Sequence, residues 1–378
     1  QFYVQDKLNG TPWITKLPFP VHVLERVEKS DSVSDKCFTN RYAYHHGYYD
    51  HVEREFRGFG MVEQWDTEAY EMPAADAVPD FVPPVHTKMW FHTGFYSRRE
   101  KISRQYEEEY FQGDTAAWAL PDTELPAGLS GEEAREACRA LKGSPLRIEV
   151  YARDGSLLQA VPYTVEEKSY FLQCFQHKGN NAHAVFLKTE SQTLSYSYER
   201  QTADPRIMHK LVLETDCYGN ETKTVQAAYP RRSGSLPEQT ILRMTCTEND
   251  FINDTTHGFR RIGVPFQIRQ FEIHNYPYLG GALSIAELLT NLPAAAAIDY
   301  ADTPSQSLLQ KRLFQHQRTR FWDDTLTAPL PLGQIAAQAL PYRQESLVYT
   351  AVLIQNLLAK NNNDNTILAN KTLADITT

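Results

Sequence analysis

The chain has 378 residues, 42% of them hydrophobic and 22% charged, which excludes wholesale disorder and leaves enough material for cores that need no disulfide staples. Its formal charge is −9 with a pI near 5.8, and Lys and Arg are spread along it, so no basic stripe is offered to nucleic acid. Aromatic residues make up 12%, with 21 Tyr and 18 Phe, and this predicts a mainly β protein.

Prolines at 12, 18 and 20 punctuate the entry, and Val21, His22, Val23, Leu24 and Glu25 then suggest an extended strand. Residues 40–66 read as a hairpin. Tyr42, Tyr44 and His46 alternate with Arg41, Ala43 and His45, a turn is centred on Gly47, and a second strand returns. Residues 71–87 carry four prolines and predict a loop that crosses the surface. Ser130 is placed to cap a helix running to about Leu141, with Glu132 and Glu133 at its amino end and Lys142-Gly143 closing it. Leu146, Ile148 and Val150 then alternate with Arg147, Glu149 and Tyr151, Asp154-Gly155 turns, and residues 156–167 return. Short strands follow at 170–176, 184–191 and 194–201. A second such unit places Leu211 and Leu213 before a turn at Tyr218-Gly219-Asn220 and runs on through Thr222, Thr224 and Gln226. Aligning Gly155 with Gly219 suggests a degenerate hairpin repeat. In the last third, residues 284–297, 305–322 and 344–362 carry apolar residues at helical spacing, with Ser284, Ser305 or Ser307 as caps, and residues 361–378 begin as a polar loop.

The five cysteines, Cys37, Cys138, Cys174, Cys217 and Cys246, are far apart and lack CxxC or zinc-type spacing, so they read as unpaired thiols of a chain folded in the cytoplasm. No run reaches the roughly 18 apolar residues of a membrane span. The amino end lacks a signal-like order of parts and an initiator methionine, which reads as an internal or excised segment.

Chemistry is most tempting in residues 41–66, where His45, His46, Asp50, His51 and Glu53 are competent metal ligands. Adjacent strand residues point to opposite faces, however, so His45 and His46 cannot both join one site, and no HExxH spacing or cysteine partner is present. The plainer reading is a wall, in which Tyr42, Tyr44, Tyr48, Tyr49, Phe56, Phe59 and Trp65 form cross-strand pairs and the charges line the wetter face. Arg54 and Arg57 beside Gly58-Phe59-Gly60 resemble an anion cradle, but alternation after them predicts a glycine-assisted bulge. Glu107, Glu108 and Glu109 offer carboxylates for glycoside chemistry, yet as a charge run they read as a solvated face. His274 and His316 stand on apolar segments as packing histidines. No nucleophile elbow, phosphate loop or dinucleotide fingerprint occurs, so no catalytic, cofactor-binding or metal residue is assigned.

Residues 38–68, 130–156 and 211–232, with "APLPLGQI" at 328–335, resemble the B component of bacterial tripartite insecticidal toxin complexes (Tc toxins), in the region between its β-propeller and its later RHS repeats, and are similar to SpvB-like RHS proteins. The resemblance implies an RHS-like spiral of long β-hairpins forming part of a hollow shell, with a few short peripheral helices. It implies three regions: residues 1–120, the end of a propeller module and the first shell strands; 121–280, hairpin shell; and 281–378, helix-containing shell. It further implies a noncatalytic segment of a secreted complex, without a cofactor. Its partners would be the C component, with which it encloses a cytotoxic cargo, and the pore-forming A component, reached through the propeller. The alternative is an RHS-type surface-binding module; a metal hydrolase using His45 or His46 with His51 and Glu53 is a third reading. The turn at Asp216–Asn220 follows the tyrosine-aspartate form of RHS repeats only loosely, and His51 stands where the family turn would have glycine.

Overall fold

The computed structural model describes residues 1–33, 36–69, 84–96, 101–256 and 258–354. Two compact units divide the chain, one of Gln1–His209 with Pro230–Thr240, the other of Lys210–Tyr229 with the residues from Ile241 onward.

In the first unit a short helix, α1 (Phe2–Leu8), precedes the strands β1 (Arg26–Asp31), β2 (Lys36–Asp50), β3 (Glu55–Ala69) and β4 (Val85–Phe91). Helix α2 (Gly131–Ala140) comes next, followed by β5 (Pro145–Ala152), β6 (Thr164–Gln176) and β7 (Val185–Ser197). Each strand from β1 to β7 pairs antiparallel with the next in the chain. β2 and β3 have 15 residues each, roughly 50 Å of extended chain. The boundary between units falls within β8 (Arg206–Thr215). In the second unit β9 (Glu221–Ala228), β10 (Arg243–Asp254), β11 (Arg261–His274) and β13 (Gln310–Phe321) form an antiparallel run. β12 (Ala296–Ile298) joins β13 parallel and β14 (Pro341–Ser346) joins it antiparallel. The helix α3 (Ile285–Asn291) precedes β12. The predicted mainly β class with few short helices is what forms.

The helix expected after Ser130 is α2, and its amino end is closed by a capping box. Ser130 Oγ accepts from the Glu133 N–H at 3.2 Å, and Glu133 Oε2 accepts from the Ser130 N–H at 2.9 Å. Its buried side, with Ala137 and Leu141, packs on Tyr170 and Leu172 of β6. A second core, of Met61, Trp90, Tyr106 and Leu146, joins β3, β4 and β5 to the 3₁₀ turn at Glu107–Glu109. Gly60 lies under Tyr106, and a Cβ there would stand 2.6 Å from the ring Cζ. Tyr106 is 1% exposed and has nowhere to go. Gly60→Ala is therefore expected to cost about 1–3 kcal/mol by overpacking, read as a lower midpoint in urea.

Several expectations are corrected. The hairpin turn is not at Gly47: β2 runs through it to Asp50, and the chain reverses over residues 51–54, with Arg54 at φ 52°. Glycine is needed at 47 for a different reason, since a Cβ would meet Trp13 Cζ3 at 2.8 Å. Residues 305–322 are not helical, because their alternating side chains are claimed by pairing: β13 is bonded to β11 on one side and to β14 on the other, and Arg312 Nη2 meets Glu272 Oε2 at 2.6 Å across the sheet. Residues 21–25 form no strand, which begins at Arg26, and the two short strands expected over 184–201 are one, β7. Residues 156–163 turn before β6 begins at Thr164. Most of the proline-rich loop lies outside the described residues, and its last part already belongs to β4. Of residues 344–362, the first three end β14, 351–354 are helical, and the stretch from 355 onward, with the polar tail, lies outside the described residues.

Candidate functional site

The β2–β3 hairpin carries the residues that looked most like a site, and it sends them to separate places. His45 Nδ1 lies 2.6 Å from Asp6 Oδ2 of α1, and its Nε2 is 3.3 Å from Glu63 Oε1 on β3, an ion-pair contact rather than a well-aligned hydrogen bond. Glu63 Oε2 lies 2.5 Å from His86 Nε2 on β4, and the His86 ring stacks on Trp65 at 4.8 Å between centroids. Arg153 Nε donates to His86 Nδ1 at 3.4 Å, so His86 holds its proton on Nε2, toward Glu63. Burial pushes the Glu63 pKa up, but the contact with His45, the short hydrogen bond from His86 and the charge of Lys88 outweigh it, and its carboxyl sits far below the usual range.

His46 belongs to a different group. Its Nδ1 accepts from the Ile14 N–H at 3.1 Å, which places the ring proton on Nε2, 2.6 Å from Glu109 Oε1. Glu109 Oε2 accepts from the Trp90 indole at 2.9 Å. Burial raises the Glu109 pKa, and the bonds from His46 and Trp90 more than reverse it. His46 has φ 56°, so strict alternation does not hold there, and what separates the two rings is their partners.

Asp50 ends β2 as a clamp. Its Oδ1 accepts from the N–H groups of Val52 and Glu53 at 2.9 and 3.1 Å, which fixes the turn. Its Oδ2 receives Arg57 Nη2 at 2.8 Å, and Arg135 of α2 reaches Oδ1 at 3.2 Å. Arg57 is the extra residue of a bulge: Tyr48 pairs with Gly58 and Tyr49 with Phe56, and Gly58 takes φ 95°. The expected glycine-assisted bulge is thus present, and its arginine is turned inward on Asp50 and the Gly94 carbonyl. His51 is exposed in the turn, against the Tyr49 ring at 5.3 Å, and Glu53 is 3.9 Å from Arg139. Of the five candidate ligands, then, the structure brings together no set that meets at one point.

The carboxylate run splits as well. Glu107 pairs with Lys101 and Arg104, Glu108 is exposed, and Glu109 serves His46. Beside this turn a cavity of about 280 Å³ is lined by Arg104, Glu107, Tyr110, Trp118, Arg147 and Glu167. Its charged walls satisfy one another: Arg147 meets Glu149 at 2.7 Å and Glu167 at 3.0 Å and lies over the Tyr110 ring. In the second unit His274 is 3.4 Å from Glu272, and His316 Nε2 accepts from Arg318 Nε at 3.1 Å.

The aromatic residues give the wall reading its content. Tyr44 packs on Phe59 across the hairpin at 5.0 Å, Phe56 meets Phe59 at 5.5 Å, and Tyr49 and Tyr48 take Phe19 and Phe95 as partners from outside it. Phe56→Ala is expected to cost about 1 kcal/mol and to lower the Tm and soluble yield together. An unchanged melt would show that the ring carries no packing load.

Sequence reasoning missed Asp6, Glu63, His86 and the pairing of Glu109. Part of the His45, Glu63 and His86 cluster is readable from strand parity. Once Ala43 is set opposite Glu63 and Trp65 opposite His86, Glu63 falls diagonal to His45 and His86 diagonal to Glu63. Asp6 and Glu109 come from segments whose placement no alternation predicts.

Residues 3–94 match the insecticide toxin TcdB middle/N-terminal region and residues 136–264 match the TcdB middle/C-terminal region, together more than half of the chain. The chain belongs to the Tc toxin B-component family. Among solved structures it is similar to the TcdB2–TccC3 complex, at 27% identity and a TM-score of 0.75 over 96% of this chain and 18% of that one. It is likewise similar to the Photorhabdus luminescens Tc holotoxin pore, at 27% identity and a TM-score of 0.74 over 96% and 17%. TcdB2–TccC3 with Cdc42 matches at 27% identity and a TM-score of 0.72 over 96% and 17%. The chain thus spans less than a fifth of the length of the solved chains it matches. No curated protein matches it. No helix among the described residues is long and apolar enough to cross a membrane.

Proposed function

We propose that this chain is a noncatalytic wall segment of a Tc toxin B component. With the C component it forms an RHS-like hairpin shell around a cytotoxic cargo, and the cargo leaves through the pore of the A component, all within an exported complex. The observation that carries the reading is the use of the most reactive-looking residues in a B-family hairpin. Asp50, Arg57 and Arg135 lock its tip, His46 and Glu109 tie it to the 3₁₀ turn, and His45 and Glu63 join neighbouring elements. Residues 1–120 would hold the end of a propeller module and the first shell strands, 121–280 would continue the shell as hairpins with RHS-like turns such as Asp216–Asn220, and 281–378 would form its helix-containing part.

The test is protease protection of a tagged C-component cargo co-expressed with the complete B component. Under this proposal the cargo survives until the shell is unfolded. Cargo digested at once overturns the container and turns attention to surface binding by the isolated chain.

A further inference from the structure

α1 has only seven residues, too few to hold a helix on its own, and its one buried residue is the charged Asp6. Asp6 Oδ2 also accepts from the Trp13 indole at 2.7 Å, so helix and following segment share this anchor. Facing it is His45, whose two ring nitrogens both look at carboxylates, Asp6 on one side and Glu63 on the other. A neutral imidazole carries one proton and would turn a lone pair toward one of these anions; the imidazolium satisfies both. We propose that His45 is a proton-controlled latch. Protonated, it bridges Asp6 and Glu63 and holds α1 and Trp13 on the β2–β3 hairpin; deprotonated, it leaves two partly buried carboxylates around a neutral ring and releases the α1 side.

The other charges around the ring fix which side gives way. Glu63 keeps His86, 2.5 Å away on β4, and the nearby Lys88, while Arg153 backs His86. Tyr151, next to His86, is raised by burial and the Glu149 carboxylate and stays neutral. On the far side Glu109 contributes a negative charge that is already engaged by His46 and Trp90. Among the described residues Asp6 keeps only the neutral indole of Trp13 as a side-chain donor, so the weakly nucleated helix is the part that moves. Burial opposes charging of His45, but its contacts with Glu63 and Asp6 outweigh it and raise its pKa above the ordinary 6.5. The sign follows: the bridge is fully present below that value and is lost as the pH rises through the folded pKa. The latch acts within this chain and does not depend on the shell reading.

The experiment is ¹⁹F NMR of the chain carrying 5-fluorotryptophan, with the Trp13 signal assigned by Trp13→Phe, from acid to alkaline pH. The Trp13 resonance is expected to titrate with a midpoint above 6.5, and His45→Gln is expected to abolish the transition. Asp6→Asn keeps an acceptor for the indole but removes one anion, and should lower the midpoint by about one pH unit. A Trp13 resonance that stays flat, or a midpoint unchanged in Asp6→Asn, overturns the latch. Should His45→Gln fail to fold, the Asp6→Asn midpoint decides.

Discussion

Asp50→Ala is expected to destabilise the first unit by about 3–5 kcal/mol, because it removes one partner of a buried ion pair and leaves the other charged. Arg57 is 3% exposed, and without Asp50 its guanidinium keeps, among the described residues, the Gly94 carbonyl at 3.1 Å and Glu55 at 3.4 Å. The same substitution strips the turn of the acceptor for Val52 and Glu53 and frees Arg135 of α2 from the hairpin tip. Asp50→Asn keeps a turn acceptor and loses the charge, so it should fall between the two. Burial raises the Asp50 pKa, but the Glu53 N–H, Arg57, the Val52 N–H and Arg135 hold it below the ordinary 3.8. Its contribution is therefore complete above that value and disappears as the pH falls through the folded pKa, so wild type and Asp50→Ala should converge in acid. Thermal melts at neutral pH test this, and a variant within about 2 °C of the parent would remove Asp50 from the account.

Trp90→Ala is the second large effect, at about 3–5 kcal/mol. The indole is completely buried among Met61, Tyr106 and Leu146, meets Tyr110 edge-on at 5.0 Å, and donates to Glu109. Truncation opens a cavity between β3, β4 and β5 and also takes a donor from the carboxylate that holds His46. Trp90→Phe separates the two contributions: most of the packing remains, and the lost donor should cost about 1–2 kcal/mol. The urea midpoints of the two variants read this difference, and equal losses would mean that the hydrogen bond dominates.

What the sequence made legible was local. Ser130 and Glu133 at the right spacing give α2 its amino end, and Gly58 beside Arg57 gives the bulge, because both depend on neighbours in the chain. The hairpin was visible in its alternation, but Gly47 looked like its turn; only the position of Trp13, 34 residues away, explains the missing side chain. Leu308, Leu309 and Leu313 fit a helical period, but the pairing that makes β13 a strand comes from β11 and β14. The site followed the same division. His45, His46, Asp50 and Glu109 were all noticed as reactive types, yet the contacts of His46 with Glu109 and of Arg135 with Asp50 bridge 63 and 85 residues. Family resemblance supplied what such distant pairings hide.

The chain-order pairing of β1 to β7 has a consequence for how the first unit comes to exist. Every ladder in it joins strands that are neighbours in sequence, so contact order is low for so much sheet, and a chain emerging from the ribosome presents each new strand to a partner already formed. The longest connection is between β4 and β5, where residues 92–144 must be looped out before Val85 can find Ala152. Closure entropy grows with loop length, so this ladder is the kinetic bottleneck of an otherwise sequential zipper. Until it closes, β4 is the growing edge at which a nascent chain is exposed to pairing with the wrong partner.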